Sequence, residues 1–261
     1  MRMVKVLSVI YLLAMTLTGV VAGDRNFMCE GIYEQHLQGF DGDKDALYWS
    51  FTTTLVKSDF NGKKIAAVPV RNHHGDLCVA DGRIYVIANY GRFNKVEGNA
   101  KNFVEVYNTV DLSRIASYPV PEIKHGGGAI CRTENGFMIT GGLPDGFPGN
   151  LLYEYDRNFK FIRSYQVPPW TLSGVQTIIK YRGDWLLGCH RSKLLRFDKD
   201  FKLIAEYKLD ATHGIMIHPR NGELYYAYSR YSKGEGWRAT VFPLGDTGLE
   251  RYRIKELADG K

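Results

Sequence analysis

A short lead-in, repeated five times ahead of the same run of strands, constrains this chain more than any other feature. It reads His36-Leu37-Gln38-Gly39, then His74-Gly75, His125-Gly126, Ser173-Gly174 and His213-Gly214. Successive copies lie roughly 36 to 51 residues apart, the length of one four-stranded blade in a radially repeated β fold. Four of the five lead-ins carry His, so the repeat that sets the fold also gathers imidazoles.

The repeats align strand by strand. Second strands fall at 47–51, 84–88, 137–140, 185–188 and 224–228, rich in β-branched and aromatic residues. Turn signals such as Asp81-Gly82, Asn135-Gly136 and Asn221-Gly222 precede them. Third strands follow at 55–60, 103–108, 151–156, 193–198 and 238–244. Several end in Asp, then turn into outer strands such as 64–70 and 202–209, where alternation marks one wet face. These spacings predict an all-β fold, a single five-bladed β-propeller of four-stranded blades over residues 24–261. Segment 27–34 or segment 250–257 closes the ring by joining the last blade; the pattern fits both.

Residues 1–22 read as a signal peptide. Arg2 and Lys5 form a basic start, 6–21 are almost wholly apolar, and Val20-Val21-Ala22 suits cleavage. The run is short for a spanning helix, and no later segment approaches the necessary length. The expectation is a secreted or periplasmic, monomeric protein without a membrane span. Cleavage removes Arg2 and Lys5 and no acidic residue, taking the formal net charge from +6 to +4. Basic residues are scattered through every repeat, which argues against nucleic acid as a partner. Cys78 and Cys131 occupy matching places in innermost strands, where Cys is commonly a small buried hydrophobe, and no bridge is assigned.

Blade topology places the chemistry. The connection into the innermost strand and the loop after the second strand share one face. His36, Gln38, His73, His74, His125, Gln176 and His213 therefore point to one mouth of the central channel. The loops at 91–101, 143–150 and 231–237 join them, and loops on a rigid scaffold commonly carry function. His74, His125 and His213, with Gln176 as the polar substitute in the fourth repeat, are the expected ligands of a divalent metal such as Zn, Mn or Ca. The alternative is that these imidazoles only bond neighbouring carbonyls where the backbone turns sharply. His36, His190, Arg191 and Tyr228 are the expected catalytic residues. Arg92, Tyr90, Arg230 and Tyr231 are the expected substrate contacts, the guanidiniums suiting a carboxylate or phosphate. His218, before Pro219, belongs to the opposite end and reads as structural. Asp41-Gly42-Asp43-Lys44-Asp45 alternates carboxylates but lacks the remaining positions of a calcium loop, and reads as a solvated turn.

From Leu47 to Gly62 the strand-to-turn style resembles five-bladed propellers, including the plant-type glutaminyl cyclotransferase group. The resemblance implies architecture. Acidic and tryptophan-bearing motifs associated with that group are not found at matching places, so its activity is not carried over. The ligand types also resemble those of seven-bladed oligogalacturonate lyases, which use His and Gln around a metal. Two functions follow as expectations: a lyase or hydrolase acting on an anionic carbohydrate or polar metabolite, or a non-catalytic glycan- or protein-binding propeller.

Overall fold

The computed structural model describes residues 26–245 and 248–254; the leader expected at 1–22 lies outside them. The chain opens with β1 (Phe27–Met28) and then builds four blades in sequence. Blade 1 is β2 (Leu37–Gly42), β3 (Leu47–Phe51), β4 (Thr54–Ser58) and β5 (Lys64–Pro69). Blade 2 is β6 (His74–Ala80), β7 (Arg83–Asn89), β8 (Asn102–Asn108) and β9 (Arg114–Pro119). Blade 3 is β10 (Gly127–Arg132), β11 (Gly136–Gly141), β12 (Asn150–Asp156) and β13 (Phe161–Val167). Blade 4 is β14 (Val175–Tyr181), β15 (Asp184–Cys189), β16 (Lys193–Phe197) and β17 (Leu203–Tyr207). Blade 5 is β18 (Ile215–Ile217), β19 (Leu224–Ser232) and β20 (Gly236–Pro243), completed by β1.

All five sheets are antiparallel and four-stranded, so the chain is a five-bladed β-propeller. Of the two candidate closures the N-terminal one is used. Phe27 pairs with Val241 and Met28 with Thr240, and Tyr33 bridges Trp237. The C-terminal segment instead forms a 3₁₀ turn, Glu250–Tyr252, and Arg253 bridges Tyr207 on the edge of blade 4. Its continuation past 254 lies outside the described residues.

Burial follows position in the blade. β3 is buried at all five positions, whereas outer strand β5 alternates between exposed and half-buried. Facing blades meet through large side chains. Trp49 of blade 1 clusters with Met216 and Tyr225 of blade 5, and Tyr85 of blade 2 meets Phe137 of blade 3 at 4.7 Å. Each such buried side chain contributes about 1.5–3 kcal/mol. The turns are as regular. Asp81 and Gly82 both take positive φ, as a two-residue hairpin requires. Asp59, Asp156 and Asp198 each accept two backbone N–H bonds through Oδ1 and so fix the turn into the outer strand.

The axis is the tightest place. Asp76, 4 % exposed, comes from β6, and the backbone N–H groups of Leu77, Ile130 and Ile178 point at its carboxylate from three blades. Burial pushes its pKa well above the ordinary carboxylate value, against those N–H dipoles. Lower down, Asp41 accepts from Val79 N at 2.8 Å and from Gly42 N at 2.8 Å. Asp43 holds its own turn by accepting from Asp45 N and Ala46 N, and Asp45 pairs with exposed Lys44, so those two form the expected solvated turn. All four Cys are buried and free. His218 stacks among Phe60 and Tyr225 on the far face, in the structural role expected of it.

Gly39 is the residue that lets Asp76 fit. A Cβ there would lie 1.9 Å from Asp76 Oδ1 and 2.7 Å from Asp76 Cα. Gly39→Ala is expected to destabilise by about 2–4 kcal/mol, as overpacking against fixed backbone does. At Gly222 an added Cβ meets nothing and only the φ of +71° opposes it, so Gly222→Ala should cost about 1 kcal/mol. Equilibrium denaturation of both variants checks the ranking; equal losses would show that the axis is not close-packed.

Candidate functional site

The lead-ins and the loops after the second strands are tied together on one face. Thr52 N donates to His36 O, His74 N to Thr52 O, Asn89 N to His73 O, Asn94 N to His125 O and Ala227 N to Gly214 O. The four His-bearing lead-ins are therefore each tied by a backbone bond to a neighbouring segment, which sets the height of the His over the channel.

Four imidazoles gather there: His36, His73, His190 and His213. The His36 ring lies 6.5 Å from that of His73 and 6.1 Å from that of His213. Gln38 joins the first two, its Nε2 lying 2.9 Å from His36 Nε2 and 3.2 Å from His73 Nε2. With the amide donating, both rings accept through Nε2 and carry their protons on Nδ1. His73 Nδ1 and His213 Nδ1 are buried without a hydrogen-bond partner in the protein. Trp237 stands 5.3 Å from His36, Phe93 5.0 Å from His73 and Tyr228 5.4 Å from His213, so aromatic rings wall the cluster.

Burial sets the charge state. It lowers the pKa of His73 and of His213 to about 4, helped at both by the neighbouring His36 and opposed at His213 by the Asp210 carboxylate. His36 is lowered by burial and then by His190, and His190 is lowered by burial against the pull of Asp210. At neutral pH the cluster is a set of uncharged imidazoles, able to accept protons or hold a metal but unsuited to holding an anion by charge. The expected charged residues are at the surface: Arg191, which follows His190 with a φ of +64°, and Arg230 on β19 are both exposed.

Not every expected residue joins. Of the pair His73 and His74, the first faces the mouth. His74 points between blades 1 and 2, its Nδ1 donating to Arg71 O at 2.6 Å and its Nε2 accepting from Tyr107 OH at 2.8 Å. Both of its ring nitrogens are thereby used. His125 is 2.8 Å from Lys95 O and packs against Phe147, anchoring the loop from blade 2. Gln176 donates back to Ser173 O at 3.3 Å. Tyr90 turns to the flank, where its hydroxyl donates to Glu105. Arg92 is exposed on its loop. His36, His190, His213 and Tyr228 are brought together as expected, and Tyr231, 53 % exposed, extends the wall through Trp237. Segment 231–237 is the tip of the hairpin of β19 and β20 rather than a loose insertion. Trp237 and Asp210 were not singled out from sequence. Asp210 had a signal, since it precedes His213 by three residues in one lead-in.

Among the described residues no three His, Cys, Asp or Glu side chains are grouped to hold a metal ion, and no helix is long and apolar enough to cross a membrane.

Compared by sequence, the chain matches no family model and no curated protein. Compared by structure, it is similar to the glutaminyl cyclase of Myxococcus xanthus, with a TM-score of 0.59 at 14% identity over 85% of this chain and 94% of that one. It is also similar to the GH43_1 enzyme from Xanthomonas citri complexed with xylotriose, with a TM-score of 0.59 at 12% identity over 81% and 87%. At such identities the shared property is the propeller fold.

The lowered imidazoles make stability depend on pH with a definite sign. His73 and His213 fold near pKa 4 but unfold toward about 6.5, so between those values the unfolded chain binds more protons. Their contribution is fully present above about pH 6.5 and is lost as pH falls toward 4. Asp41, pushed up to about 7 by burial, acts with the opposite sign in the same window. The comparison that isolates the imidazoles is therefore wild type against a His73→Phe, His213→Phe double variant. The melting midpoint of the variant should fall less between pH 7 and pH 4; parallel curves would mean that both rings are freely solvated.

Proposed function

We propose that the His-lined face is the working site of an exported enzyme, a lyase or hydrolase acting on an anionic carbohydrate or a comparable polar metabolite. The observation that carries this reading is the convergence of four neutral imidazoles beside the Asp210 carboxylate. A structural end of a channel has no use for buried ring nitrogens without partners, whereas a site that takes a polar ligand does.

Within that reading the chemistry divides by residue. His190, its ring under the influence of Asp210, is the base. Arg191 holds the substrate carboxylate, and Arg230 extends the positive rim. For a uronate the base removes the proton beside the carboxylate, the bond to the leaving oxygen breaks, and a carbon–carbon double bond forms. Tyr228, beside His213, protonates the departing oxygen. Glycoside hydrolysis of the usual kind needs two carboxylates across the scissile bond. Asp210 is the carboxylate that acts on these imidazoles, so elimination suits the site better.

A divalent metal is also proposed here. The donors left for it are His213, whose Nδ1 is unpartnered, and His73, whose Nδ1 would become a donor in the other tautomer, with the Gln38 amide turned so that its oxygen accepts from Nε2. Imidazole suits Zn or Mn better than Ca. Bound, it would neutralise charge on a substrate carboxylate.

The second reading, a non-catalytic glycan-binding propeller, is favoured by one feature: exposed Tyr231 beside half-buried Trp237 on the hairpin offers a stacking surface. The X. citri neighbour in complex with xylotriose supports a carbohydrate on this kind of scaffold at the level of fold alone.

A screen of uronate oligomers for unsaturated product, with and without added Zn or Mn, tests the proposal. His190→Gln should lower kcat at least about 100-fold with little change in KM, as loss of a general base does. Arg191→Ala should chiefly raise KM. Binding without turnover under every condition would transfer the site to the glycan-binding reading.

A further inference from the structure

Apart from the mouth, the flank between blades 1 and 2 encloses a cavity of about 310 Å³ whose polar lining is Arg71, Tyr90, Glu105, Tyr107 and Arg114. Glu105 is the unusual member, a carboxylate in the middle of β8 that is only 2 % exposed. Its Oε1 accepts from Tyr90 OH at 3.0 Å and from Ser117 Oγ at 3.0 Å, and its Oε2 accepts from Arg114 Nε at 2.6 Å. Buried carboxylates are retained when paired and hydrogen-bonded, and here the pairing fixes a guanidinium at the cavity. The terminal nitrogens of Arg114 have no acceptor among the described residues. Arg71 is fixed differently, its guanidinium lying 3.8 Å over the Tyr90 ring. Among the described residues no carboxylate pairs with it.

The two guanidiniums enter from opposite ends. Arg71 follows the end of β5 on the histidine face, and Arg114 begins β9 at the far end of blade 2. Both are held before any ligand arrives, and two guanidiniums against one carboxylate leave a net positive charge. Val68 and Leu112 supply apolar wall between them. A cavity with apolar sides and a few convergent polar groups is the usual form of a small-molecule site, and this one lies at the lower end of the common range of about 300–1,000 Å³.

We propose that this flank cavity binds a small dicarboxylate, one carboxylate on Arg71 and the other on Arg114. Arg71 offers its planar fork to one carboxylate and Arg114 its two terminal nitrogens to the other, while the Nε of Arg114 stays on Glu105, so the repulsion at that end is what Glu105→Gln removes. A compact phosphate dianion, with all its charge at one point, engages one guanidinium where a dicarboxylate engages both. The site is independent of the reading given to the mouth, because no residue lining it belongs to the imidazole cluster.

Calorimetric titration of the whole protein with succinate, acetate and inorganic phosphate tests the proposal. Succinate should bind at least about tenfold more tightly than acetate or phosphate. Arg71→Gln changes an exposed side chain outside the core, and should weaken succinate at least about tenfold while leaving the melting temperature unchanged. Glu105→Gln keeps an acceptor for Arg114 while removing the negative charge, and should tighten succinate. Succinate binding of equal strength in wild type and Arg71→Gln overturns the proposal. So does phosphate binding as tightly as succinate, or the absence of any succinate heat at millimolar concentration.

Discussion

Everything in this propeller depends on how closely the inner strands approach at the axis. Asp76 stands where the N–H groups of three blades point at one carboxylate, and it fits because Gly39 has no side chain. That contact joins the innermost strands of blades 1 to 4 at one point. The lead-ins sit directly above it, so the positions of His36, His73 and His213 follow from the packing beneath them. Sharing one face is a consequence of topology. That the His36 ring lies within 6.5 Å of both others is a consequence of the axis.

The blades were legible in the sequence because their determinants are local. Strand 47–51 reads the same in sequence and in structure, and Asp81-Gly82 announces a turn that both residues then make with positive φ. Ring closure was not legible, since 27–34 and 250–257 carry similar alternation and only the pairing of Phe27 with Val241 decides between them. The site was half legible. Topology placed the histidines on one face, but His73 and His74 are consecutive, and adjacent residues at the start of a strand point to opposite sides. The register shift between His74 and Leu77 then sends His74 toward Tyr107 and leaves His73 at the mouth. His125 was drawn aside by the carbonyl of Lys95, thirty residues away, a partner that no local pattern reveals.

The mouth departs from the rule the rest of the fold obeys. Elsewhere among the described residues buried side-chain polar groups are matched, as Trp49 Nε1 is by Ser58 Oγ at 2.8 Å and Thr177 Oγ1 by Ala211 O at 2.8 Å. At the mouth two imidazole nitrogens and Asn89 Nδ2 are buried without a partner. Each such group costs roughly 1–3 kcal/mol when left unmade. A structure that satisfies its polar groups with care at the blade interfaces, and leaves three together on one face, concentrates its instability where a ligand or proton would relieve it.

The measurement that bears most directly on this account is the titration of the imidazole ring nitrogens by nitrogen-15 NMR. If His36, His73 and His213 form one desolvated cluster, His73 and His213 should remain neutral down to about pH 4, with His36 also titrating below its ordinary range. Substituting Gln38, which joins two of the rings, should then shift the resonances of both His36 and His73. Three independent titrations near pH 6.5, unmoved by that substitution, would show three solvated side chains and no site.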